Sequence, residues 1–166
     1  LVDAPQSFDG YRPSNFDTAF NGPVSVAEAL RLSLNVPAVD LLDRVGPARF
    51  AARLEHAGIA LRFPRGAAPN LSMILGGTGA RLEDLVGAFA ALQRGGIAGR
   101  VRYTGDAPKL ERRLLSPGAA WIVREILAAN PRPGEAEGMF DTGRRPQVAW
   151  KTGTSYGFRD AWAIGA

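Results

Sequence analysis

Gln147-Val148-Ala149-Trp150-Lys151-Thr152-Gly153-Thr154 and Asp160-Ala161-Trp162-Ala163-Ile164-Gly165-Ala166 close the sequence as two strand-like runs. Between them Tyr156-Gly157-Phe158-Arg159 reads as a turn, so the segment predicts a β-hairpin. Its apolar positions are Val148, Trp150, Ala161, Trp162 and Ile164. Most of the chain upstream has helical period or loop composition. The fold class expected is therefore α+β, a mostly helical body carrying a C-terminal hairpin.

Working upstream, the spacing predicts a helix from Ser116-Pro117 to about Asn130, ended by Pro131 and Pro133, with a loop over 131–146. Gly99 to Thr104 reads as a short strand. Arg81 to Arg94 is an amphipathic helix stopped by Gly95-Gly96. Residues 58–80 read as loop, with a turn at Gly76-Gly77-Thr78-Gly79. Three helices precede it. Ser25 and Glu28 form a capping box for the first. Pro37 disfavours helical geometry at Val36, so Ser33-Leu34-Asn35 marks a break, with Asn35 as a cap for a helix running to Val45 and Gly46. Pro47 opens a third, Ala48 to Ala57. Residues 1–24 read as an irregular lead-in. No internal repeat is found.

The 166 residues suffice for one domain with a core. Apolar residues are 46% and charged residues 22%, which excludes a disordered or fibrous chain. There is no cysteine, which removes disulfides, zinc–thiolate sites and cysteine nucleophiles. The single histidine, His56, cannot build a metal site alone. The net charge of +4 is carried mainly by scattered arginines. A nucleic-acid groove would show clustered basic residues with interleaved aromatics, so nucleic acid is not an expected partner. Apolar runs such as Leu85 to Leu92 are too short to span a bilayer. Both ends read as cuts within a longer protein.

Two short motifs carry chemistry. Lys151-Thr152-Gly153-Thr154 puts an ammonium and hydroxyls on a strand edge, where they can hold a carboxylate. Gly153 leaves room for a close approach, and the edge itself can pair with an extended peptide. Ser33-Leu34-Asn35 offers a hydroxyl for proton relay and an amide for a carbonyl. Read as structure alone, Ser33 and Asn35 are capping residues and Lys151 lies on an ordinary strand. The order and wide separation of the motifs match two of the three that mark penicillin-binding proteins and serine β-lactamases.

Longer runs extend the match. They are Gly22-Pro23-Val24-Ser25-Val26-Ala27-Glu28-Ala29-Leu30 leading into Ser33-Leu34-Asn35-Val36-Pro37-Ala38-Val39; Leu75-Gly76-Gly77 before Arg81-Leu82-Glu83-Asp84-Leu85; and Lys151 to Trp162. Over nearly its whole length the chain resembles the transpeptidase domain of class A penicillin-binding proteins, the 1C type in particular. The resemblance implies a partial domain, 1–166, of the β-lactamase/transpeptidase-like serine acyltransferase fold, truncated at both ends. It implies serine acyl transfer on peptidoglycan stem peptides, inhibition by β-lactams, and no cofactor or metal. It implies a location at the periplasmic face of the bacterial inner membrane, with any anchor outside this sequence. Carried over by motif, Ser33, Asn35 and Lys151 are catalytic, and Thr152, Gly153 and Thr154 bind substrate.

The departure from the pattern is the nucleophile, the serine of Ser-x-x-Lys. Ser7, Ser14, Ser25, Ser33, Ser72, Ser116 and Ser155 are followed three residues later by Gly10, Asp17, Glu28, Val36, Leu75, Ala119 and Phe158, never by lysine. The expectation is a cut between the first and second motifs. A non-catalytic module that only binds wall peptide or a partner protein is the rival reading. The hairpin's apolar positions, short of neighbouring strands, predict self-association or a companion piece of the same protein.

Overall fold

The computed structural model describes residues 1–130 and 147–166. It is α+β as expected, a helical body with a C-terminal strand pair. The first helix, α1 (Val26–Arg31), has the capping box: Glu28 N donates to Ser25 Oγ at 3.1 Å, and Ser25 N donates to Glu28 Oε2 at 2.8 Å. Helix α2 (Asn35–Val45) follows after a short break, and α3 (Pro47–His56) after Gly46. Proline suits the start of α3, where its missing N–H would have no helical partner. Val36 and Val39 on α2 are fully buried and Leu42 nearly so. Each such aliphatic side chain contributes roughly 1.5–3 kcal/mol, which anchors α2 and the break before it.

The loop expected over 58–80 holds a short 3₁₀ turn, Leu71–Leu75, packed on α2 through the buried Met73. Its start is capped by Asn70, whose Oδ1 accepts from Ser72 N at 3.0 Å. Gly77 follows where a side chain has no room, since a Cβ would lie 2.8 Å from the Ser72 carbonyl oxygen. Helix α4 (Leu82–Gln93) and helix α5 (Pro117–Ala128) then pack together. One cluster joins Ala91 of α4 to Ala57, Ile59, Ala98 and Leu114. A second joins Leu92 of α4 and Leu127 of α5 to Ala149, just before the last strand pair.

Several local expectations change. The lead-in is not wholly irregular: β1 (Val2–Asp3) pairs antiparallel with β2 (Gly22–Pro23). The strand expected over 99–104 is instead β3 (Ile97–Gly99), paired with β4 (Glu111–Arg113). Val101 and Tyr103, within the expected strand, are exposed. Pairing with 111–113 set the strand's place, and propensity did not. Trp121 lies on the exposed face of α5. The expected loop at 131–146 lies outside the described residues.

The last pair is β5 (Trp150–Thr154) and β6 (Ala161–Gly165). The expected turn over Tyr156 to Arg159 holds a 3₁₀ segment, Tyr156–Phe158. It is closed by Ser155, whose N–H donates to the Asp160 carbonyl at 3.0 Å and whose Oγ accepts from Asp160 N at 3.0 Å. The register pairs Lys151 with Ile164 and Gly153 with Trp162. Side chains alternate along a strand, so Lys151, Gly153, Trp162 and Ile164 share one face, and Trp150, Thr152, Thr154 and Ala161 the other. The hairpin's apolar set is thereby divided between two faces. It packs on α4 and α5, and Trp150 is tied to the end of α5 by Asn130 Nδ2, which donates to its carbonyl at 2.9 Å.

Candidate active site

The break between α1 and α2 is built as a Schellman turn. Leu34 N donates to the Ala29 carbonyl at 3.0 Å, and Ser33 N to the Leu30 carbonyl at 3.3 Å. Such a turn needs a left-handed residue just beyond the helix end, and glycine usually supplies it. Here the position is held by Ser33, with φ +57°. A non-glycine residue at positive φ costs roughly 1 kcal/mol or more, so stability alone does not account for serine at this point.

Asn35 is the first residue of α2, not its cap; Leu34 holds the cap position and gives no side-chain bond. The free N–H of Asn35 is satisfied from far upstream, by Asn15 Oδ1 at 2.9 Å. The Asn35 side chain donates through Nδ2 to the Ser14 carbonyl at 2.8 Å. Its second amide hydrogen has no partner among the described residues.

Lys151 stands on the face of β5 that carries Gly153, half-buried. Its Nζ donates to Ser33 Oγ, 118 residues away in sequence, and to the Thr152 carbonyl at 2.8 Å. Burial disfavours the ammonium and lowers its pKa below the ordinary lysine value. No carboxylate among the described residues pairs with it, so none of them neutralises its field. Because Lys151 donates to Ser33 Oγ, the serine's own proton is left to point elsewhere, the arrangement a proton relay requires. Thr152, Gly153 and Thr154 are exposed. A Cβ at Gly153 would meet nothing within 4 Å, so the space in front of it is open. Among the described residues β5 pairs only with β6, which leaves its other edge free for an extended peptide.

Two further elements border the site. Gly76, with φ +91°, sits where a Cβ would be 3.5 Å from Ser155 Cβ, so the Gly76-Gly77 turn lies against the end of β5. Phe16 and Phe158, both exposed, meet edge to face at 6.0 Å between ring centres and join the lead-in to the hairpin tip.

Penicillin-binding protein 1C of Escherichia coli (strain K12) is 55% identical over 167 aligned positions, 99% of this chain and 21% of that protein. At this identity the chain matches a partial domain of the penicillin-binding protein 1C type. No family model matches the sequence. Among solved structures, PonA1 from Mycobacterium tuberculosis in complex with penicillin V superposes with a TM-score of 0.70 at 28% identity, over 99% of this chain and 50% of that one. Penicillin-binding protein 1A from Haemophilus influenzae superposes with a TM-score of 0.75 at 18% identity, over 99% of this chain and 32% of that one, which speaks for the fold alone. The chain thus spans about a fifth of the length of its 1C relative and at most half of these solved chains. No helix among the described residues is long and apolar enough to cross a membrane.

The 1C-type motif residues therefore divide as follows. Lys151 meets Ser33, Asn35 lies two residues further along the chain and is bonded to Ser14 and Asn15, and Thr152 to Thr154 continue the strand that carries Lys151. Sequence reasoning missed Asn15, Ser14 and Phe16. They lie in a Pro-, Asn- and Asp-rich stretch with no period, and their partners are distant, so no local signal marked them.

Proposed function

We propose that the chain is part of a peptidoglycan D,D-transpeptidase, a partial domain whose nucleophilic serine lies in sequence outside it. The observation that carries this reading is the contact of Lys151 with Ser33. Two motifs 118 residues apart meet, and a lysine with no carboxylate partner among the described residues faces a hydroxyl held in a costly conformation. In the intact enzyme the serine attacks the penultimate D-alanine carbonyl of a stem peptide and expels the terminal D-alanine. An amine of a neighbouring stem peptide then takes the acyl group. Ser33 assists proton transfer to and from the nucleophile. Asn35 holds the acyl side of the substrate through the amide hydrogen that has no partner among the described residues. Lys151, with Thr152 and Thr154, attracts the terminal carboxylate, and Gly153 keeps the approach open. The backbone N–H of Thr154 supplies one oxyanion donor. β-Lactams occupy the same place as acylating mimics. The site works at the periplasmic face of the inner membrane, held there by parts of the protein beyond this chain.

The absence of any Ser-x-x-Lys pair favours a second reading for these 166 residues taken alone, a wall-peptide or protein-binding module without catalysis. The isolated segment should form no covalent adduct with a β-lactam, whereas the full-length protein that carries it should label with fluorescent penicillin. Intact mass spectrometry reads both. A stoichiometric adduct on Ser33 or any other serine of the segment would overturn the assignment of the nucleophile.

A companion piece or self-association also follows from the site. Two strands alone are marginal in water, and Val148 and Trp162 are each 39% exposed. Beside a β5 edge that no other described strand pairs with, they favour pairing with another chain. Light scattering of the isolated segment over a dilution series should show a concentration-dependent dimer or larger species, unless a second fragment of the protein is present by mass spectrometry. A monodisperse monomer with a well-protected hairpin in hydrogen exchange would refute this.

A further inference from the structure

Asp3 is fully buried and Asn15 is 4% exposed. Asn15 Nδ2 donates to Asp3 Oδ1 at 2.8 Å and Oδ2 at 3.0 Å, and to the Ala19 carbonyl at 2.8 Å. Asn21 adds its backbone N–H at 2.9 Å and its Nδ2 at 2.8 Å, both to Asp3 Oδ2. Burial by itself would raise the pKa of this carboxyl, but the bonds from Asn21 and Asn15 outweigh it and hold the pKa below the usual value. An ionised carboxylate only accepts. The Asn15 amide must therefore turn its NH₂ toward Asp3, and both its hydrogens are then taken by Asp3 and Ala19. Its oxygen is left facing α2, where it accepts from Asn35 N. The adjacent residue, Ser14, accepts from the Asn35 side chain. One short segment thus holds Asn35 at both its backbone and its amide, and the polarity of that hold is set by Asp3.

We propose that Asp3 and Asn15 are positioning residues for Asn35, acting through a hydrogen-bond chain whose direction Asp3 dictates. The inference rests on the reading of Asn35 as a substrate-contacting residue. Asp3→Asn tests it at almost constant volume. An amide at position 3 can serve Asn21 with its oxygen, but it then presents NH₂ to the NH₂ of Asn15. If Asn15 flips to relieve that, its NH₂ meets the N–H of Asn35. Either way one donor–donor conflict remains, and it falls on the chain leading to Asn35.

The experiment uses the full-length protein and the rate of acylation by fluorescent penicillin, with thermal melting alongside. D3N is expected to slow acylation on the order of tenfold, and N35A at least as much. In the N35A background, D3N should change the rate by less than about twofold, because the residue it acts through is gone. Asn15→Ser, too short to span from Asp3 to Asn35, should repeat the pattern and serves if D3N does not fold. Asn21→Ala removes a bond to Asp3 without reversing Asn15. It should lower the melting temperature while leaving acylation within about twofold. If D3N acylates at the wild-type rate while N35A is slow, the positioning role is wrong and the reading of Asn35 stands. Equal slowing by D3N in both backgrounds would mean general loosening and would likewise overturn it. A wild-type rate in N35A would remove the role of Asn35 itself, and the proposal with it.

Discussion

Lys151→Ala in the full-length protein is expected to slow acylation by β-lactams by about a hundredfold or more, a barrier increase of about 2.7 kcal/mol. Stability should change far less, by about 1 kcal/mol or under, because deleting this side chain also removes a desolvation penalty. The reasoning starts from the environment of the amine. Lys151 is half-buried, has no carboxylate partner among the described residues, and donates to Ser33 Oγ and the Thr152 carbonyl. Burial works against its charge and lowers its pKa, so little of its placement is explained by folding energy. A half-buried cation that no described carboxylate neutralises acts mainly on a bound anion and on charge that develops during reaction. The direction of the shift adds a pH signature. The ammonium is lost as pH rises through its lowered pKa, so acylation should fall on the alkaline side below the ordinary lysine range. Lys151→Arg keeps its charge and should lack that limb. Stopped-flow acylation over a pH series reads all three proteins. A rate for Lys151→Ala within about twofold of wild type, under roughly 0.4 kcal/mol, would remove the assigned role.

Ser33 should separate activity from stability more sharply still. Ser33→Gly and Ser33→Ala both delete the hydroxyl that receives Lys151, and both should slow acylation at least tenfold in the full-length protein. Their stabilities should diverge. Ser33 closes a Schellman turn at φ +57°, where glycine has no Cβ to clash. The glycine variant should be about 1 kcal/mol more stable than the alanine variant, and equal to or above wild type despite the lost hydrogen bond. Denaturant unfolding gives the stabilities, and penicillin labelling gives the rates. If both variants acylate normally, Ser33 is a cap and nothing more. If Ser33→Gly is less stable than Ser33→Ala, the strain assigned to this turn is absent.

The local elements were legible in the sequence because their signals are local. The Ser25–Glu28 box, Pro47 at a helix start and Gly46 at a helix end are fixed by contacts within a few residues. The same is true of the motif residues Ser33, Asn35 and Lys151, which are recognisable as residue types in order. What each of them touches was not legible. Ser33 reads as a cap in sequence, and the structure places it at positive φ under the ammonium of Lys151. Asn35 reads as the cap of α2, and the structure makes it the residue being capped, by Asn15. Residues 1–24 carry no period, yet they hold the buried Asp3–Asn15–Asn21 network and one small sheet. Strand β4 had no signal because Glu111-Arg112-Arg113 becomes a strand only through its pairing with Ile97–Gly99. Period and propensity report the interactions of near neighbours. Hydrogen bonds between residues 20 or 118 positions apart depend on chain closure, and only the tertiary structure decides which distant donor meets which acceptor.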